Sequence, residues 1–275
     1  MRGKHLFLCI LCTTLFTGFQ IGDQANKSGN WYFPNDPSTT QTIASDIYHE
    51  FLSAHKVLTA ADNTEVETLN RISNRVITAV KKYYEDRKNT KILEGFNWQV
   101  NMVEETKRDA WCLPGGKIVV YSSLIPITQS DASLAVVLSH EIAHLILKHG
   151  ETRMKQYVKE FLDSKDLSAA LSAKPRETKD FFRMAYGTGD YVGVIRGFSV
   201  DDEIEADKLG VIFCGMAGYN PEDAIVLWER MERLRGTGRQ PEWILTHPVS
   251  EKRIDRLREI MEDILKKYYK SISKN

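Results

Sequence analysis

Across residues 134–147 the only polar side chains are Ser139, His140, Glu141 and His144. No other stretch constrains the fold as strongly. With its flanks, residues 131–150, it reads as one long helix that is apolar on nearly every side, and a helix apolar all round is buried. Such a helix needs neighbours on every face, so several further elements must wrap around it. The ionisable groups inside it add a second demand. Each costs several kcal/mol to bury without a partner, so something must compensate His140, Glu141 and His144.

The spacing suggests what that is. His140 and His144 stand one helical turn apart, about 40° from each other around the axis, so both imidazoles can reach one ion. Glu141 is turned about 100° further, close enough to touch a water on that ion without competing as a ligand, which suits a general base. Zinc held by three protein groups keeps a fourth position for water and lowers its pKa to about 7. One Zn2+ per chain is the expected cofactor. Chance occurrence of the motif is the competing explanation, and the burial of three ionisable groups in one turn argues against it.

The third ligand has to come from elsewhere. A third histidine on the same helix would need glycine at 147 and histidine at 150, but the sequence has Leu147 and Gly150. His149 is expected at the surface, beside a glycine stop. Downstream, Glu203 and Asp207 share a helix face, with Glu205 about 200° from Glu203. One carboxylate can bind the ion while the other orients a ligand histidine. A solvated acidic run over residues 201–207 accounts for the same spacing.

Around this centre the chain reads as mainly α with a small sheet, an α+β fold. Ile43, Ile47 and Phe51, then Val66, Leu69, Ile72, Val76, Val80 and Tyr83, recur every three or four positions and predict two amphipathic helices. Thr64 and Glu67 have the spacing of a capping box for the second. Residues 98–103 alternate apolar with polar, and the apolar residues 118–121 follow Pro114-Gly115-Gly116, which together predict a small sheet. Further helices are expected over about 200–217, from Pro221, and over about 249–268.

Residues 41–275 are expected to form one domain, within which 151–198 is a helical excursion that could serve as a lid. Residues 22–40 read as a linker. Over residues 1–21, Arg2 and Lys4 precede an uncharged stretch, the pattern of a signal peptide or an uncleaved N-terminal anchor. Export to a periplasm or out of the cell is therefore expected, with membrane association if the leader stays. Lys and Arg together number 37 and so do Asp and Glu, so no net field draws the chain to nucleic acid. Removal of the leader would leave Cys112 and Cys214, either as one disulfide or as two buried thiols.

Five motifs then occur in a fixed order: Ala110-Trp111-Cys112-Leu113-Pro114-Gly115-Gly116-Lys117-Ile118, the His140 to His144 motif, Glu203-Ile204-Glu205-Ala206-Asp207-Lys208-Leu209-Gly210, Gly218-Tyr219-Asn220-Pro221, and Thr246-His247-Pro248 with Arg253-Ile254. Over residues 96–257 this resembles the zinc metallopeptidases that include HtpX, the CAAX prenyl proteases, the mitochondrial OMA protease and the periplasmic beta-barrel assembly-enhancing protease. The resemblance implies a gluzincin-like domain with the histidine helix under a short sheet. It implies Glu203 as third metal ligand and Asp207 as support for a ligand histidine. For His247 and Arg253 it implies roles near the ion, in holding substrate or the developing oxyanion or in capping the metal.

The strand before Pro114 resembles the family's edge strand, where an extended polypeptide could pair, with Trp111 and Cys112 lining the groove. One position departs from the pattern: relatives commonly carry asparagine where this chain has Asp109, and a carboxylate cannot donate the hydrogen bonds an amide does. The implied activity is endopeptidase cleavage of exported or membrane-associated, misfolded proteins. Two other readings stay open, a zinc-containing chaperone or adaptor that binds exported proteins without cutting them, and a different metal-dependent hydrolase. Oligomeric state is not specified by any motif.

Overall fold

A computed structural model describes residues 37–61, 63–162, 175–188 and 197–270. The helices are α1 Pro37–Ala54, α2 Thr64–Asp86, α3 Ile125–Thr128, α4 Asp131–Ile146, α5 His149–Leu162, α6 Pro175–Tyr186, α7 Val200–Met216, α8 Asp223–Arg233, α9 Trp243–Thr246 and α10 Glu251–Tyr268. Four strands, β1 Val57–Leu58, β2 Gln99–Val103, β3 Ala110–Leu113 and β4 Lys117–Tyr121, form a sheet of order β1-β2-β4-β3. This is the mainly helical α+β architecture expected. The leader at 1–21, the linker up to residue 36, and residues 163–174 and 189–196 of the excursion lie outside the described residues. Among the described residues no helix is long and apolar enough to cross a membrane.

Helix α4 lies in the middle of the buried core. Ser130 caps it by accepting the Ser133 N–H at 3.0 Å, and every residue from 133 to 146 is buried. It packs chiefly against α7, and also against α2, β3 and α8. The close approach of α7 depends on a missing side chain: a Cβ at Gly210 would lie 3.1 Å from both the Cα and N of His140. Ala206, one turn earlier, is fully buried. Small residues on this face therefore set the spacing that lets Glu203 and Asp207 reach the histidines.

The end of α4 differs from the expected end at residue 150. Leu147 N–H donates to Ala143 O at 2.9 Å and Lys148 N–H to Leu145 O at 3.1 Å, while Lys148 takes a left-handed φ of 61° and closes the helix. Helix α5 then starts at His149. Gly150 is not a stop but a point of close approach, since a Cβ there would lie 2.3 Å from the Tyr186 ring of α6. The cap of α2 also differs from the expected Thr64, because Asn63 Oδ1 accepts the Glu65 N–H at 2.7 Å.

In the sheet, β2 runs parallel to β4 with Gln99 opposite Lys117, and β3 returns antiparallel with Leu113 opposite Lys117. The tight turn between β3 and β4 uses Gly115 and Gly116, both near φ 80°, a region that favours glycine. As an end strand β3 is packed by α4, α1 and α6. Its alternate residues face opposite ways: Trp111 stands edge-on to Phe51 of α1 at 5.0 Å between centroids, while Ala110 and Cys112 join the core containing α4. Both Trp111 and Cys112 are buried. Cys112 and Cys214 are two free, buried thiols rather than a disulfide.

Candidate metal centre

His140 and His144 of α4 bring their Nε2 atoms to 3.0 Å. Glu203, in the first turn of α7 behind a capping box of Ser199 and Asp202, places Oε2 3.3 Å from His140 Nε2 and Oε1 3.3 Å from His144 Nε2. His247, just past α9, completes the group: its Nδ1 lies 3.3 Å from His140 Nε2 and 3.1 Å from Glu203 Oε1. One donor atom from each of the four residues falls within 4.8 Å of all the others, and all four residues are buried. Ligands about 2.1 Å from a tetrahedral zinc are about 3.4 Å apart, so these separations suit one ion. Imidazole lone pairs and a carboxylate aimed at one another repel unless a cation lies between them. The donor set therefore fits a single Zn2+.

A second layer stands behind the donors. His140 Nδ1 lies 3.0 Å from Asp207 Oδ1. Arg253, fully buried in α10, donates from Nε to Asp207 Oδ2 and from Nη2 to Asp207 Oδ1, both at 2.8 Å, and its Nη1 is 2.6 Å from Glu203 Oε2. Trp228 Nε1 donates to Asp207 Oδ1 at 3.1 Å. Burial alone would raise the pKa of both carboxyl groups. The Arg253 charge and the neighbouring histidines together outweigh it, holding Asp207 below and Glu203 well below the ordinary range. Ser250 caps α10 by accepting the Arg253 N–H, so the helix start also fixes the guanidinium.

Glu141 Oε1 accepts the Trp243 indole N–H at 2.7 Å and lies 3.3 Å from His247 Nε2. Trp243 stacks on His247 with centroids 4.3 Å apart, and on Trp228 at 4.9 Å. On the other side, Phe198 stacks on the His144 ring at 4.1 Å. Sequence reasoning missed Trp228, Trp243 and Phe198, because hydrophobic pattern finds buried aromatics without saying which polar atom they meet. Trp243 did carry a signal: it precedes His247 by four residues, and a buried indole N–H needs an acceptor. His149 is a correction. Expected at the surface, it is 4% exposed, with Nδ1 2.9 Å from His144 Nδ1, because the early end of α4 turns it inward.

Asp109 immediately precedes β3 and is 1% exposed. Its Oδ1 accepts the Ala110 N–H at 2.9 Å, and among the described residues its Oδ2 has no hydrogen-bond partner. Burial, then the charge of Glu141, push this carboxyl well above the ordinary range. A neutral carboxylic acid keeps an O–H and can donate, so an asparagine-like role is chemically open to it.

The sequence model of peptidase family M48 matches residues 69–261, a span that holds every residue of the centre. The chain belongs to peptidase family M48. Among similar proteins, the mitochondrial metalloendopeptidase OMA1 of Arabidopsis thaliana is 33% identical over 189 residues, which is 65% of this chain and 35% of that protein. The protein of the same name in Schizosaccharomyces pombe is 29% identical over 227 residues, 79% of this chain and 59% of that one. The beta-barrel assembly-enhancing protease of Escherichia coli is 26% identical over 161 residues, 56% of this chain and 32% of that protein. This M48 chain thus spans roughly a third to three fifths of the relatives it matches.

Proposed function

We propose that this chain is a zinc-dependent endopeptidase acting on polypeptides, in which His140, His144 and Glu203 hold the ion and Glu141 is the general base. The observation that carries the reading is the convergence of two imidazoles and one carboxylate in a buried cage, with a second carboxylate on the neighbouring helical position of α4. Zinc, when bound, polarises a carbonyl and makes water nucleophilic near neutral pH. Glu141 accepts the proton of the attacking water and returns it to the leaving amine. The Trp243 indole N–H, 2.7 Å from Oε1, orients Glu141 for both transfers. Asp207 and Arg253 hold His140 and Glu203 in place from behind.

His247 takes part in either of two ways, as a cap on the cage at rest or as a donor to the tetrahedral oxyanion once displaced. Its Nδ1, 3.1 Å from Glu203 Oε1, favours the first at rest. The substrate pairs along β3, which Trp111 and Cys112 fix from its two faces. The excursion at 151–198 acts as a lid. In support, α6 packs against β3, and its Lys179 and Arg183 pair with Glu50 of α1. Exported or membrane-associated misfolded proteins are the proposed substrates, in a periplasm or outside the cell, with membrane attachment if the leader is retained. The leader pattern and the similarity to the Escherichia coli protease support this.

Glu141→Gln should keep zinc and abolish cleavage of an unfolded protein; unchanged cleavage rejects the assignment of the base. The position of His247 also favours a second reading, a chain that binds exported proteins in a latent state. Cleavage released by His247→Ala supports the peptidase, and zinc-loaded protein that cleaves in neither form supports the binder.

A further inference from the structure

The outer nitrogen of His140 meets Asp207, but that of His144 meets another histidine. His149 lies outside the four-residue cage, is buried, and stands edge-on to His144 with ring centroids 4.9 Å apart. We propose that His149 is a positioning residue for His144, accepting its Nδ1–H and thereby keeping its Nε2 bare toward the ion. This rests on the zinc-site reading above.

The proton positions follow from one another. His144 Nε2 faces His140 Nε2 at 3.0 Å and Glu203 Oε1 at 3.3 Å, so as a ligand it presents a lone pair there. A neutral imidazole has a single N–H, which then belongs to Nδ1. The two Nδ1 atoms are 2.9 Å apart, an ordinary hydrogen-bond length. Neither two lone pairs nor two N–H groups can meet at that distance, so His149 Nδ1 is the acceptor. Its own proton must then sit on Nε2, which lies 3.4 Å from Glu205 Oε2 and 3.8 Å from Asp202 Oδ1. The left-handed Lys148 and the start of α5 fix the ring's approach, and Phe198, stacked on His144, prevents that ring from tilting away. Outer partners of this kind fix the tautomer and basicity of a metal-bound histidine.

Nitrogen-15 NMR of histidine-labelled, zinc-loaded full chain tests the assignment directly. The expected result is a proton on His144 Nδ1 and on His149 Nε2, with His149 Nδ1 bare; a proton on His149 Nδ1 overturns it. As a second arm, His149→Phe keeps a flat ring without an acceptor. Its zinc affinity, measured by chelator competition, should fall about 10- to 100-fold. His149→Gln, with a carbonyl acceptor, should recover most of that loss. A folded His149→Phe chain that binds zinc within about twofold of the unsubstituted chain overturns the proposal. Should that variant not fold, the tautomers of the unsubstituted chain decide. None of these readouts needs cleavage, so a chain with these tautomers that cuts nothing, even with His247→Ala, would sink the peptidase reading and leave this one standing.

Discussion

His140 and His144 are the same residue on the same helix, one turn apart, with Nε2 aimed at the same point, yet their far nitrogens meet opposite surroundings. His140 Nδ1 faces Asp207, a carboxylate held by Arg253 and Trp228 in the interior. His144 Nδ1 faces His149, and beyond it Glu205, whose side chain is 66% exposed. Without an ion the two respond in opposite senses. Burial lowers His140, but its carboxylate partners Asp207 and Glu203 together overcome that and set it at about 9. Burial drives His144 well below its ordinary value; Glu203 does not offset it, and the charge on His140 adds to the fall. Helix spacing aims the inner nitrogens, while elements distant in sequence decide how firmly each ring is held. One side of the cage is braced by charge in the interior, the other by a pair of neutral imidazoles that leads to a solvent-exposed carboxylate.

The largest test removes the brace. Arg253→Met leaves Glu203 and Asp207 buried without their common counter-charge, and breaking a buried pair by deleting one partner costs about 3–5 kcal/mol. Chemical denaturation of the zinc-free chain should show a loss of that order. A loss under about 1 kcal/mol would mean the His140 side is no better braced than the other.

Next in size is the pH response of the zinc-free chain. A histidine whose folded pKa is raised contributes stability that is complete below its unfolded value and disappears as pH climbs through the folded value. For His140 that window runs from the ordinary 6.5 to about 9. A histidine with a lowered folded pKa must be neutral in the fold, so His144 removes stability as pH falls below 6.5. The two slopes oppose each other, and the melting temperature in chelator should peak near pH 6.5 and decline on both sides. Added zinc should flatten the alkaline side, because the ion replaces the His140 proton. A melting temperature that rises steadily to pH 9 breaks the contrast between the two rings.

The braced side was largely legible in the sequence and the neutral side was not. Period and polarity placed α4 at the centre, and two histidines with a glutamate inside an apolar helix pointed to a metal site. Glu203, Asp207 and Arg253 came from the order of motifs, since spacing alone left a solvated acidic run open. His149 was hidden because the stop of α4 is a lysine in a left-handed conformation, which no residue preference announces, whereas the nearby Gly150 suggested a stop that packing against Tyr186 explains instead. Asp109 shows the same limit. Its pKa is pushed up by burial and then by the charge of Glu141, and only the fold brings either about.

The smallest expected effect lies where the neutral pair meets that exposed carboxylate. Glu205→Gln keeps an acceptor oxygen near His149 Nε2 and removes only a charge. An interaction at this exposure is worth about 0–1 kcal/mol and is screened by salt. Zinc affinity should therefore fall by less than about fivefold at low ionic strength, and the difference should vanish in high salt, since Asp202 remains 3.8 Å from the same nitrogen. The Arg253→Met defect, set in the interior, should persist at every salt concentration. A tenfold loss for Glu205→Gln that survives high salt would mean that the surface carboxylate governs His144 as firmly as buried Asp207 governs His140, and the two sides of the cage would then be equivalent.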